Sequence, residues 1–130
     1  MPTQIVTVKI QELLPHEHYR PFRAKQLAGE IHKDGKLRRP LLADRKTYVL
    51  LDGHHRLAAL KRLGCKKARV LLVDYQSKAV RLYPRKKNLS INKRQVVSCA
   101  LRHRLYPVKS TRHLVAGGRK TIKTPLQELY

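Results

Sequence analysis

The sequence predicts a small α/β domain, and three observations carry that reading. Strand-like and helix-like patterns alternate along the chain. One apolar strand, ending at Leu51, runs into a helix across Asp52-Gly53 with no intervening loop. The 130 residues are enough for one modest core and too few for several.

Residues 4–10 alternate loosely between polar and apolar and include β-branched side chains, so they read as a first strand. Leu13-Leu14-Pro15-His16-Glu17 breaks it into a loop. Ala24, Leu27, Ala28 and Ile31 recur at helical spacing, with a stop at Gly35. Residues 40–43 and 48–51 read as short strands joined by the polar turn Asp44-Arg45-Lys46-Thr47. Leu57, Leu60 and Leu63 mark a second helix ending at Gly64. Val70-Leu71-Leu72-Val73 is apolar on both faces, as a buried strand would be. Residues 79–83 read as a further strand ended by Pro84. Asn92 with Gln95 three residues on has the form of a capping box for a third helix. Residues 113–115 read as a last short strand. The strands are too few and short for a long doubly wound sheet. Residues 1–116 are therefore expected to form the domain, and 117–130, opening with Gly117-Gly118-Arg119-Lys120, a basic flexible tail.

Thirty Lys and Arg against eight Asp and Glu give a net charge of +22. Such a surface attracts polyanions, and nucleic acid is the natural candidate. One Phe and no Trp supply few stacking platforms, which disfavours a single-strand reader. No helix-turn-helix or zinc-finger signature points to a sequence-specific one. No apolar run is long enough to span a membrane, and the N-terminus has no secretory pattern, so a cytoplasmic location is expected. Cys65 and Cys99 lie too far apart in sequence for a metal-ligand pair and read as ordinary reduced thiols.

Three segments carry chemistry. At Asp52-Gly53-His54-His55-Arg56 a helix opens directly from a strand. Gly53 lets a ligand approach the backbone, and the first turn offers free N–H groups and the positive end of the helix dipole. Three cationic or cation-forming side chains there oppose the dipole, and an anion between them would relieve that conflict. The alternative is that Asp52 caps the helix and the histidines are surface residues; spacing alone leaves the two readings level. Adjacent histidines point about 100° apart on a helix and chelate poorly. Asp52 holding Mg²⁺ together with a nucleotide phosphate is the better metal reading.

The second segment, Lys109-Ser110-Thr111-Arg112-His113, offers hydroxyls and cations suited to phosphate. Taken alone it reads better as an ordinary basic loop. The third is Pro15-His16-Glu17-His18, where Glu17 is a carboxylate among cations and a candidate general base. Taken alone, a surface acid is the better reading. No glycine-rich phosphate loop is present.

In this order the segments resemble the ParB/sulfiredoxin superfamily, and most closely its free-serine kinase branch, over about residues 13–115. The resemblance rests on Leu14-Pro15-His16-Glu17, on Leu51-Asp52-Gly53-His54-His55-Arg56 with Ala59-Leu60 and Leu63-Gly64 after it, on Val73-Asp74-Tyr75, and on the 109–113 segment. It implies a compact α/β (α+β) domain with ADP or ATP bound at the Asp52–Arg56 turn. It further implies that Glu17 acts on a serine hydroxyl, that Asp52 works with Mg²⁺ and the transferring phosphate, and that residues 109–113 bind phosphate from the other side. Phosphoryl transfer needs mostly positioning and charge neutralisation, which such a set can supply. Sulfiredoxins carry a cysteine where this chain has His54, so sulfinic-acid reduction is not expected. ParB partition proteins continue into further domains for which this sequence has no room, and the serine kinases are longer. Two functions follow as expectations. One is Mg²⁺-dependent phosphoryl transfer from ADP or ATP to serine, a similar hydroxyl compound or water. The other is a DNA- or RNA-binding module, gated by nucleotide or not.

Overall fold

The computed structural model describes residues 4–130. A four-stranded sheet lies at its centre, in the order β1-β5-β3-β4. Its strands are β1 (Gln4–Lys9), β3 (Leu41–Asp44), β4 (Leu50–Asp52) and β5 (Lys67–Val73). β1 runs antiparallel to β5, β5 parallel to β3, and β3 antiparallel to β4. The mixed sheet is the α+β architecture expected from the sequence.

Both faces of this sheet are covered, which is why β5 reads as a continuous apolar run. Ala68, Val70 and Leu72 face one core with Ala28 and Ile31 of α1 (Pro21–Asp34) and Leu57 and Leu60 of α2 (His54–Arg62). Leu71 and Val73 face a second core with Tyr75, Val80, and Val96 and Ala100 of α3 (Lys93–Leu101). The expected box at the start of α3 is present. Asn92 Oδ1 accepts from the Gln95 N–H at 2.8 Å, and Gln95 Oε1 accepts from the Asn92 N–H at 3.0 Å. α1 ends at Gly35, whose φ of 75° suits a residue without a side chain.

β6 (Val80–Pro84) and β7 (Thr111–Val115) form a separate antiparallel ribbon. β7 is longer than the three residues expected, because Thr111 and Arg112 pair with Pro84 and Tyr83.

The expected flexible tail is not what the structure shows. β8 (Thr124–Pro125) pairs with β2 (Lys36–Leu37), a two-residue strand with no legible pattern. A 3₁₀ turn at Leu126–Glu128 then buries Leu126 and Leu129 in the first core. The Leu129 carbonyl accepts from the N–H groups of Lys66 and Lys67 at 2.8 and 3.0 Å. The basic composition of residues 117–123 masks the apolar pair that follows, and two leucines three apart are too few to show a period.

Candidate functional site

A cleft of about 1210 Å³ runs between the start of α2 and the β6–β7 ribbon. Glu17, Asp52, Gly53, His54, His55, Arg56, Lys109, Thr111, Arg112 and His113 all line it, so the three sequence segments converge on one space. Ser110 does not line it. Its side chain is buried and its hydroxyl donates to the Pro107 carbonyl, so its expected part as a phosphate donor does not match its placement.

At the turn, Gly53 takes φ 102° and no side chain caps α2. The first bond within the helix runs from the Leu57 N–H to the Gly53 carbonyl. The N–H groups of His54, His55 and Arg56 therefore precede the ladder, as an anion site requires. A β-carbon on residue 53 would sit 3.0 Å from Leu41 and 3.2 Å from the Arg56 guanidinium, so glycine is needed both for φ and for space. The Asp52 side chain is half exposed and meets Arg56 only at 3.4 Å, which leaves its carboxylate open to the cleft.

Arg56 is less free than its sequence position suggests. Its guanidinium donates to the carbonyls of Pro40 at 2.6 Å and Arg39 at 3.2 Å, fastening α2 to the start of β3. Burial, the main cause, pulls its pKa down to about 10, against the pull of Asp52. The two histidines are likewise engaged. His54 Nε2 accepts from the His16 N–H at 3.2 Å, and His55 Nε2 accepts from the Arg20 N–H at 3.0 Å. They pin the chain on either side of Glu17. For the Nε2 atoms this is a positioning task and not the phosphate contact expected of them. Burial lowers the pKa of both, and neighbouring positive groups push the same way, from His16 at His54 and from Arg23 at His55.

Glu17 reaches the opposite wall. Its Oε1 accepts from the N–H groups of Ser110 at 2.8 Å and Thr111 at 2.9 Å, and lies 3.2 Å from the Thr111 hydroxyl. Oε2 takes no hydrogen bond from the described residues. The 15–20 loop is further held by a short parallel bridge between Glu17 and Tyr106, with the His18 N–H donating to the Tyr106 carbonyl.

Behind Glu17 lies His16, which sequence reasoning missed as a functional residue. It is fully buried, and its Nδ1 donates to the Leu50 carbonyl at 2.6 Å. Its Nε2 shares a hydrogen bond of 2.8 Å with the Thr111 hydroxyl. That hydroxyl has one proton and two neighbours, so Glu17, Thr111 and His16 form a chain along which a proton can pass. Burial lowers the His16 pKa, while the charges of Glu17 and Asp52 pull it up. The His113 ring lies 5.5 Å from that of His16 and shares a 2.8 Å hydrogen bond through Nε2 with Tyr75. Burial first, and His16 second, push its pKa down to about 3. The only sequence sign of this network is that His16 adjoins Glu17; its partners lie 34 and 95 residues away.

A smaller cavity of about 290 Å³ adjoins the cleft, lined by Pro15, Glu17, His18, His54, Lys61 and Leu105 among others. Glu17 and His54 border both spaces. Among the described residues, no group of three or more His, Cys, Asp or Glu is placed to hold a metal ion alone. Cys65 and Cys99 are free thiols away from the cleft.

Comparison with known proteins sets this geometry in context. No family model matches the chain. It is 37% identical over 81 residues to an ATP-dependent L-serine kinase of Staphylothermus marinus, covering 59% of this chain and 32% of that protein. It is 32% identical over 77 residues to a ParB-like protein of Sulfolobus acidocaldarius, covering 59% of this chain and 38% of that protein. The chain thus spans roughly a third of the length of these curated relatives. Its structure superposes on that of a free serine kinase in complex with AMP with a TM-score of 0.89 at 16% identity, covering 97% of this chain and 93% of that one. The resemblance to the ParB/sulfiredoxin superfamily, near its serine-kinase branch, is borne out.

Proposed function

From a chain with the fold of free serine kinase and with serine-kinase and ParB-like relatives, we propose a nucleotide-dependent phosphotransferase acting on serine or a similar small hydroxyl compound. The observation that carries this reading is the placement of Glu17. Two backbone N–H groups hold one of its oxygens, with the Thr111 hydroxyl beside it, and the residue borders both the large cleft and the small cavity next to it.

In this reading the phosphates of ADP or ATP lie against the uncapped start of α2, where Gly53 and the free N–H groups receive them. Lys109 and Arg112 neutralise charge from the facing wall. The acceptor occupies the small cavity, with Lys61 available to an acidic group on it. Glu17 Oε2 takes the acceptor's hydroxyl proton as the oxygen attacks the terminal phosphorus; the bond from that phosphorus to the bridging oxygen breaks, and AMP or ADP leaves with the electron pair. The proton then leaves Oε2 to water in the cleft that Glu17 lines, which restores the carboxylate. His54 and His55 fix the loop that carries the base.

Asp52 fits a role in holding Mg²⁺. One half-exposed carboxylate, lightly engaged by Arg56, suits an ion whose other ligands are phosphate oxygens and water. Such an ion would neutralise charge on the phosphates. Glu17, with Oε1 saturated by donors, is the poorer ligand. Water in place of the acceptor would give nucleotide hydrolysis by the same groups. The chain has no helix long and apolar enough to cross a membrane among its described residues, which is compatible with a cytoplasmic reaction.

The test is to incubate the protein with Mg²⁺, ADP or ATP, and serine, and to follow phosphoserine and free phosphate. The expected result is phosphoserine formation that Glu17→Ala lowers by about a hundredfold or more, the scale of general-base catalysis, with nucleotide affinity kept. Phosphate release without phosphoserine would redirect the reading to a nucleotidase. No turnover with either nucleotide would overturn it.

A further inference from the structure

The charge of this protein is unevenly distributed. Between residues 76 and 127 there is no Asp or Glu, yet fourteen of the thirty Lys and Arg fall there. The ion pairs found among the described residues, Arg23–Glu30, Arg38–Asp34 and Arg56–Asp52, all lie in the first half of the chain. Among the described residues, no cation between positions 76 and 127 forms an ion pair within the chain.

The β6–β7 ribbon concentrates part of this charge on one face. Arg81 lies opposite Leu114, and Tyr83 opposite Arg112, so these four side chains share a face. That face is exposed, with Tyr83 at 40% and Leu114 at 42%. The other face carries Val80, Leu82 and Val115 into the second core. At the end of β6 the exposed run Arg85-Lys86-Lys87 extends the basic surface beyond the ribbon.

We propose that the outer face of the β6–β7 ribbon, with the 85–87 turn, binds the phosphate backbone of duplex nucleic acid. Closely spaced cations without carboxylate partners repel one another, and a polyanion relieves that repulsion while releasing its own counterions. Two paired strands of five residues make a ribbon about 16 Å long, and a two-stranded ribbon is admitted by a major groove about 12 Å wide. One tyrosine is a weak platform for unpaired bases, so a duplex fits better than a single strand. With two exposed side chains of apolar character, the face lacks the broad greasy surface by which a membrane-lying element inserts. Tyr83, Arg85, Arg112 and Leu114 also line the cleft, so the surface adjoins it; Arg81, Lys86 and Lys87 do not line it, and the test therefore rests on those three.

The experiment is fluorescence anisotropy with a labelled duplex of about 20 base pairs over ~50–300 mM salt, comparing the unaltered protein with two triple variants. One is Arg81→Ala/Lys86→Ala/Lys87→Ala. The other, Lys9→Ala/Lys25→Ala/Lys33→Ala, removes the same charge from exposed positions outside the ribbon. A third, Lys86→Glu/Lys87→Glu, is confined to the exposed turn and leaves ribbon packing untouched. Melting temperatures no lower than that of the unaltered protein certify the fold. The expected result is that the ribbon triple loses roughly tenfold or more in affinity at low salt, and about 2.7 in the slope of log affinity against log salt, at 0.9 per phosphate contact. The turn variant should follow it and the outside triple should not. Equal losses in both triples would overturn the proposal, as would no duplex binding. Tighter binding to a single strand or to anionic phosphatidylglycerol vesicles than to the duplex would do the same.

Discussion

At the scale of single residues, the site depends on groups that burial holds in one state. Gly53 combines φ 102° with two close neighbours, so Gly53→Ala is expected to cost about 1–3 kcal/mol of stability. It should also weaken ADP and ATP binding, read by thermal denaturation and calorimetric titration. His113 gives a pH prediction. Its pKa falls from 6.5 in the unfolded chain to about 3 when folded. Between these values the unfolded chain binds the extra proton, so its contribution to stability is complete above 6.5 and is lost as pH falls towards 3. His16 and His54, also lowered, act in the same direction. Urea midpoints at pH 7 and pH 4.5 should therefore differ clearly, and His113→Phe should flatten the dependence. The residues of the turn were legible in the sequence because glycine and the strand-to-helix junction are local signals. The tasks of His54, His55 and Arg56 were not, because their partners at His16, Arg20 and Pro40 lie 16 to 38 residues away.

At the scale of elements, the three α-helices among the described residues are legible in the sequence. Apolar residues three and four apart marked α1 and α2, and a capping box marked α3. β5 was visible as a run too apolar for a solvated strand. β2 and β8 were not, since two residues carry no period and their pairing is decided across the fold. The 3₁₀ turn that follows β8 was read as tail for the same reason. Its weight can be measured: Leu129 is fully buried, and Leu129→Ala should cost about 2–5 kcal/mol, against little for Tyr130→Ala at a half-exposed position. Chemical denaturation of the two variants compares them directly.

At the scale of the whole molecule, the net charge of +22 sets the solution behaviour. Self-repulsion opposes compactness, and added salt screens it. The melting temperature should rise between ~10 and ~300 mM NaCl, because the Debye length shrinks from about 30 Å to well under 10 Å over that range. A protein held by its surface ion pairs would show the reverse. The overall architecture was readable from the order of motifs, which placed the three chemical segments in one domain. How Glu17 reaches residues 110 and 111 was beyond reach, because that depends on the ribbon's position against the sheet.

The histidine clamp has a consequence for heredity. The same two neighbouring codons that shape the opening of α2 also tether the loop bearing Glu17, through His16 and Arg20. Under the proposed function, a change at position 54 or 55 on the nucleotide side would also disturb the loop that carries Glu17. Directed evolution toward a new acceptor should therefore find its productive changes in pairs, one in the 15–20 segment and one at 54 or 55, with either change alone selected against.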